Sequence, residues 1–454
     1  MSGEARRHGT LGRSVIAYVV ACSVLPFVFG CTDESASSRG GDGPSGESSG
    51  SANRLNGSRS DSTSSIEPPE PVRAFCGSCH RFPPPDTLPR RHWAREIDRM
   101  YEIAQDLTEG ADLSSLVNPD EVKSYYEKAS PERLSSIDTT AGAGSGPLPL
   151  ARREIRIRGR DPYPGITNVR AVALTGERPR ELLVCDMRYG EVLLVDVIPA
   201  MGIRRLLRVG YVSHPARTFV VDLDEDGLRD ILVANLGTVT PSDATNGSIE
   251  WLRQSGELVF EKRTIAEGLG RVSDVRAADF DGDGDLDLIA AVFGWRRVGE
   301  ILYFENVAEK GVEPRFEQKT IDGRPGAIHV PIIDLDRDGR PDFIAVIAQQ
   351  YETVVAFYNK GSGEFEPRTL YEAPHPHWGC SGIELFDFDG DGDEDILFPN
   401  GDTLDDLLVK PWHGAAWLEN PGTGRESGPW RYHRLTDLYG AHWIEAGDVD
   451  GDGD

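Results

Sequence analysis

Basic charge is in short supply in this chain. Lys and Arg number 48 against 75 Asp and Glu over 454 residues, a formal net charge of −27. No basic stripe exists to collect phosphates, which argues against nucleic acid as a partner. No Ser-His-Asp order and no glycine-rich phosphate loop stands out. Methionine is scarce, four in all including the initiator, and cysteine numbers six. Most cysteines have an assignable place: Cys22 in an apolar leader, Cys31 at its end, and Cys76 and Cys79 in one motif. Cys185 and Cys380 remain, to be read either as a pair in an oxidising compartment or as two buried thiols.

The leader comes first. Arg6, Arg7 and Arg13 precede a nearly unbroken apolar stretch over residues 15–30, a pattern that marks an export signal. Its ending, Val28-Phe29-Gly30-Cys31, resembles the lipobox of bacterial lipoproteins, with Phe29 where a small residue is usual. That resemblance implies lipidation of Cys31. Simple secretion and an uncleaved anchor are the rival readings; Pro26 and the shortness of the stretch weigh against the anchor. All three put the body of the chain outside the cytoplasm, in the cell envelope or at the cell surface. Residues 31–68 are largely Ser, Gly, Asp, Glu and Asn, too polar to repay ordering, and read as a flexible tether.

Cys76-Gly77-Ser78-Cys79-His80 has the form of a covalent haem c attachment site. Two thiols add to the porphyrin vinyls and the adjacent imidazole binds iron. A thioredoxin-like pair and half a zinc site are the alternatives; the first lacks its βαβ context and the second lacks further ligands nearby. A helix is expected from about Pro89, with Trp93, Ile97, Met100, Ala104 and Leu107 on one stripe. Met100 is the expected sixth iron ligand, ahead of His92 and of an open position. Asn118, Pro119 and Glu121 open a second helix, and a short helical turn is expected after Pro131. Residues 69–138 thus read as a small all-α haem c domain, and 139–154 as a linker.

Downstream, one loop form recurs, Asp-x-Asp-x-Asp-Gly-x-x-Asp. It appears as Asp222, Asp224, Asp226, Asp230; Asp279, Asp281, Asp283, Asp287; Asp334, Asp336, Asp338, Asp342; and Asp387, Asp389, Asp391, Asp395. A fifth loop begins at Asp448, Asp450 and Asp452. Alternate carboxylates converge on one hard cation, and Gly permits the sharp turn. A backbone carbonyl at Leu228, Asp285, Arg340 or Asp393 adds a ligand. The set calls for about four to five Ca2+ ions. EF-hand helices are missing; strand-like runs bracket each loop instead.

The loops start 57, 55, 53 and 61 residues apart, and each unit carries a later aromatic strand such as Tyr303-Phe304-Glu305-Asn306. Four short strands in about 55 residues make one propeller blade. An earlier unit around Ala173, 49 residues before the first loop, reads as a blade that lost its ion. The repeats resemble the FG-GAP, or VCBS-type, family that includes the integrin α-subunit propeller, over about residues 155–454. The resemblance implies a mostly β fold, a calcium-loop β-propeller. The expected complete ring has seven blades, of which this chain holds one degenerate, four full and one begun. A tethered small cytochrome ahead of such repeats also resembles an architecture found in bacteria such as planctomycetes.

His214, His329, His377 and His442 are read as preceding the innermost strands, and repeat logic puts them near one end of the central channel. Three functions fit. The first is electron transfer, with the propeller docking a redox partner protein or substrate. The second is a channel enzyme that oxidises or cleaves a carbohydrate with haem as electron outlet. The third is a calcium-dependent surface module for carbohydrate or protein.

Overall fold

A computed structural model describes residues 17–20, 66–107, 117–136, 163–175, 181–198, 202–309, 311–403, 406–422 and 429–447. Cys31, nearly all of the tether, the 139–154 linker and the fifth Asp loop lie outside these residues. One short strand, β1 (Ala17–Val20), falls within the apolar leader.

Three helices follow. They are α1 (Glu70–Cys76), α2 (Arg90–Leu107) and α3 (Pro119–Ala129). Each starts as its sequence dictates. Pro89 precedes α2, and the Asn118 side chain accepts from the Asp120 N–H at 2.9 Å to cap α3. The expected turn of helix after Pro131 does not form among the described residues. Arg90 takes up that segment instead: its N–H donates to the Pro131 carbonyl at 2.8 Å and its guanidinium to the Ser130 carbonyl at 2.9 Å. The helices close over Val72, Cys76, Leu88, Trp93, Ile97, Val122, Tyr125 and Tyr126. Trp93 stacks on Tyr126 with centroids 3.8 Å apart. No helix among the described residues is long and apolar enough to cross a membrane.

The remaining chain builds five antiparallel sheets in sequence order. The first holds β2 (Ile166–Val172), β3 (Glu181–Asp186), β4 (Glu191–Ile198) and β5 (Gly202–Tyr211). The second holds β6 (Pro215–Val221), β7 (Asp230–Asn235), β8 (Gly247–Gly256) and β9 (Val259–Leu269). The third holds β10 (Val272–Ala278), β11 (Asp287–Val292), β12 (Glu300–Asn306) and β13 (Phe316–Asp322). In the fourth the innermost strand is split into β14 (Ala327–His329) and β15 (Ile332–Ile333), followed by β16 (Asp342–Ile347), β17 (Thr353–Asn359) and β18 (Phe365–Glu372). The split falls at Pro331, which has no N–H to give the ladder. The fifth holds β19 (Glu384–Phe386), β20 (Asp395–Asn400), β21 (Gly414–Glu419) and β22 (Arg431–Asp437). One more strand, β23 (Trp443–Ala446), pairs antiparallel with β1.

That last pairing joins part of the leader to the fold, although the leader was expected to stand apart from it. Strand β23 has a free edge, and an apolar segment can satisfy its backbone groups.

The second to fifth sheets are buried on both faces, because their cores are shared with their neighbours. Strands β7, β11, β16 and β20 are buried along their whole length. One apolar cluster joins the first and second sheets through Leu194, Val233 and Leu252. Others join the second to the third, the third to the fourth and the fourth to the fifth. Outer strands such as β9 alternate between half-buried and exposed. The arrangement is a five-bladed propeller, with β23 lying beyond the fifth blade.

Candidate functional site

The four complete Asp loops sit between the first and second strands of blades two to five. In each, three carboxylates converge, with ligand atoms within 4.8 Å of one another: Asp222, Asp224 and Asp230; Asp279, Asp281 and Asp287; Asp334, Asp336 and Asp342; Asp387, Asp389 and Asp395. Loop geometry forces this. The first Asp is held by amides further on, as when Gly227 N–H donates to Asp222 at 2.9 Å and Gly339 N–H to Asp334 at 3.0 Å. The sixth position is left-handed in every loop, with φ of 87°, 96°, 87° and 95° at Gly227, Gly284, Gly339 and Gly392. Only Gly takes that conformation without strain.

The last Asp is a different kind of residue. It is buried, and it accepts two backbone amides in each of the four loops. Asp287 takes the Phe280 N–H at 3.1 Å, the Asn306 N–H at 2.8 Å and the Tyr303 hydroxyl at 2.8 Å. Asp230, Asp342 and Asp395 repeat the pattern with Gln254, Asn359 and Asn420, each at 2.7 Å. It therefore ties the loop to the end of the third strand as well as offering an oxygen to a cation. Burial pushes its acidity down: Asp287 rises to about 7, and Asp342 and Asp395 to about 6. A bound cation would reverse that by supplying the missing counter-charge.

The third Asp of each loop stands outside the converging triplets and turns back on the chain. Asp226, Asp283, Asp338 and Asp391 accept the N–H of Leu228, Asp285, Arg340 and Asp393, at 2.9 to 3.1 Å. In the first loop Arg253 bridges Asp224 and Asp226, the latter at 2.6 Å. A guanidinium here supplies the positive charge that a cation would otherwise bring. The acidic loops are compatible with calcium.

Blade one holds a residue that sequence reading passed over. Glu181 pairs with Val172 in the register that Asp230 keeps with Val221. It is buried and takes the Thr175 hydroxyl. The signal was its spacing: Glu181 follows Ala173 by the same interval that separates Asp230 from Asp222.

The innermost strands surround a charged axis. Asp274, fully buried, accepts from Arg276 at 3.1 Å and faces Arg217 at 3.5 Å. Arg217 also reaches His329 Nε2 at 2.7 Å and lies 4.7 Å from the Trp443 ring. Arg170 and Glu384 complete the electrostatic set. His329 is held neutral, well below the usual imidazole range, by burial and by the neighbouring arginines. The Ile383 N–H meets its Nδ1 at 3.1 Å, so two donors face a ring with one acceptor.

Of the four histidines expected at the channel, this axis receives only His329. The reason is parity: Trp443 and Glu445 of β23 face the axis, so His442 points away. His214 lines an open surface depression of about 360 Å3 with Tyr189 and Tyr211. His377 lies against the helical segment, its ring 6.1 Å from Trp93.

The Cys-x-x-Cys-His turn caps α1. Cys76 is buried in the helical core, where burial pushes its thiol up to about 11, and Cys79 is exposed. His80 Nδ1 lies 2.7 Å from the Arg81 carbonyl. The carbonyl only accepts, so the proton sits on Nδ1 and Nε2 keeps its lone pair, the tautomer a metal ligand needs. Trp93 and Ile97 are buried as the stripe predicts, whereas Met100 is half-buried and outside the cluster around Trp93. His92 Nε2 already accepts from Arg91 at 3.1 Å. Cys185 and Cys380 are separate buried thiols in blades one and five.

Further contacts fasten the helical segment to the propeller. Arg81 pairs with Glu372 at 2.7 Å and donates to the Ala373 carbonyl at 3.2 Å. Arg296 reaches Asp106 at 3.2 Å. Leu408 packs on the helical core.

The family model of the FG-GAP-like repeat matches residues 222–290 and 320–398. These segments span the four complete Asp loops. The chain thus carries FG-GAP-like repeats arranged as a propeller of five blades. No curated protein matches the chain. Among solved structures, a luciferin-regenerating enzyme is 11% identical with a TM-score of 0.40, over 60% of this chain and 81% of that one. An α-L-arabinofuranosidase from Lactobacillus brevis is 9% identical, with a TM-score of 0.38 over 57% and 90%. A chain of a nidogen–laminin complex is 12% identical, with a TM-score of 0.33 over 52% and 73%. Likeness at this level carries no argument about activity.

Proposed function

We propose that the protein is an exported electron-transfer protein in which a calcium-stabilised propeller carries a small haem c segment and docks its redox partner. The observation that carries this reading is the 2.7 Å contact of His80 Nδ1 with the Arg81 carbonyl within the Cys76–Cys79–His80 turn, which leaves Nε2 for a metal. The thiols of Cys76 and Cys79 would hold the macrocycle covalently, and His80 would bind its iron. The haem, when bound, supplies one-electron chemistry. Phe82, Tyr125 and Tyr126 pack in the apolar cluster that holds Cys76 and would keep water from one side of the haem. Four calcium ions in the complete loops, and a fifth at Asp448, Asp450 and Asp452, would hold the blades. Export, with lipid on Cys31, matches the compartment in which such haem is attached.

The test is an absorption spectrum of protein made with periplasmic haem-attachment machinery, oxidised and then reduced by dithionite. A sharp reduced α-band that survives acid–acetone extraction is expected. A colourless protein would sink the electron-transfer reading.

A second reading is a calcium-dependent surface module for carbohydrate. What favours it is the depression beside His214, flanked by Tyr189 and the exposed Tyr211 ring. Glycan-array binding that disappears on chelation would support it; an array with no signal at any calcium level would count against it. The channel-enzyme reading fares worst. The channel groups spend their charge on one another, with Asp274 engaged by two arginines and by the Val330 N–H.

A further inference from the structure

We propose that His377, on the propeller, is the second axial ligand of the iron whose first ligand is His80; this rests on the haem reading above. Two segments 292 residues apart meet here, where Arg81 donates to the Ala373 carbonyl. The link brings Pro374-His375-Pro376-His377 up to the helical segment immediately after the haem motif. The His377 ring meets Trp93 edge-on, with centroids 6.1 Å apart.

His377 is also prepared for a ligand. Its Nδ1 is buried with no hydrogen-bond partner among the described residues. An unpaired buried nitrogen is costly, and coordination would recover that cost. Two prolines restrict its backbone, and Trp412 Nε1 donates to its carbonyl at 3.1 Å. Behind it, His375 packs edge-on to Trp412 at 4.6 Å. The rivals within the helical segment lack this preparation. Met100 stands apart from the aromatic cluster, and His92 Nε2 is occupied by Arg91. Two imidazole ligands would give a lower reduction potential than a His–Met pair.

The test uses the full chain with covalent haem. Ferric absorption and low-temperature electron paramagnetic resonance are recorded for wild type, His377→Ala, His377→Met and Met100→Ala. Wild type should be low-spin without the weak long-wavelength band of a thioether ligand, and Met100→Ala should match it. His377→Ala should turn high-spin, and free imidazole should restore the low-spin signal, which also shows that the pocket has folded. His377→Met should gain the thioether band. A low-spin His377→Ala protein, or a high-spin Met100→Ala protein, would overturn the assignment and leave the haem reading standing. Wild type with no covalent haem in a pyridine haemochrome assay would overturn both.

Discussion

Within each Asp loop the carboxylates are chemically unlike. Beyond the cation site Asp281 accepts the exposed Asp283 N–H at 3.1 Å, while Asp287 anchors the buried Phe280, Asn306 and Tyr303. Asp281→Asn should therefore remove the calcium-dependent part of the melting temperature in blade three and change little in chelator. Asp287→Ala should cost about 2–4 kcal/mol with or without the ion, since two buried amides lose their acceptor. Paired calcium titrations and urea melts of both variants distinguish these roles; equal losses in chelator would contradict them. A second residue sets a pH dependence. Glu352 is buried, accepts the Cys380 N–H at 2.8 Å, and is pushed by burial up to about 8. A carboxyl with a raised folded pKa stabilises fully below its unfolded value and loses that contribution as pH rises through the folded one. Stability should fall between about pH 4.5 and pH 8, and Glu352→Gln should flatten the fall in urea melts at pH 5 and pH 9.

At the scale of elements, what was legible in the sequence was local. An Asp loop is nine consecutive residues, so the converging carboxylates and the left-handed glycines could be read directly, as could the α3 cap at Asn118. Features that depend on register were not legible. A one-residue difference in parity separates Trp443, on the axis, from His442, off it. Small irregularities, such as the shift between Pro215 and Arg217, move such positions without any mark in composition. Contacts between distant segments were hidden for another reason. Nothing near His80 in sequence announces Glu372 or His377, because their meeting depends on how the helices rest on the fourth and fifth blades. The turn expected after Pro131 failed similarly, since a single arginine, Arg90, claimed the carbonyls that a helix would have used. Glu181 was readable by spacing, but its longer side chain broke the repeated pattern.

Over the whole molecule, cohesion passes from blade to neighbouring blade, as each apolar cluster belongs to two sheets. Loop repulsion is distributed in the same way, one acidic loop in each of blades two to five. Chelation should lower the melting temperature and open protease sites in the connections between blades, by mass action on ions bound only to the folded state. Limited proteolysis with and without chelator, mapped by mass spectrometry, checks this; identical cleavage maps would contradict it.

The thiols make these blades separately observable. Cys79 is exposed, while Cys76, Cys185 and Cys380 are buried in the helical core, blade one and blade five. In haem-free protein, a maleimide should label Cys79 at once and the other three only as their surroundings open. Their labelling rates then act as three clocks on one chain, timing the opening of its helical start, its first blade and its fifth independently.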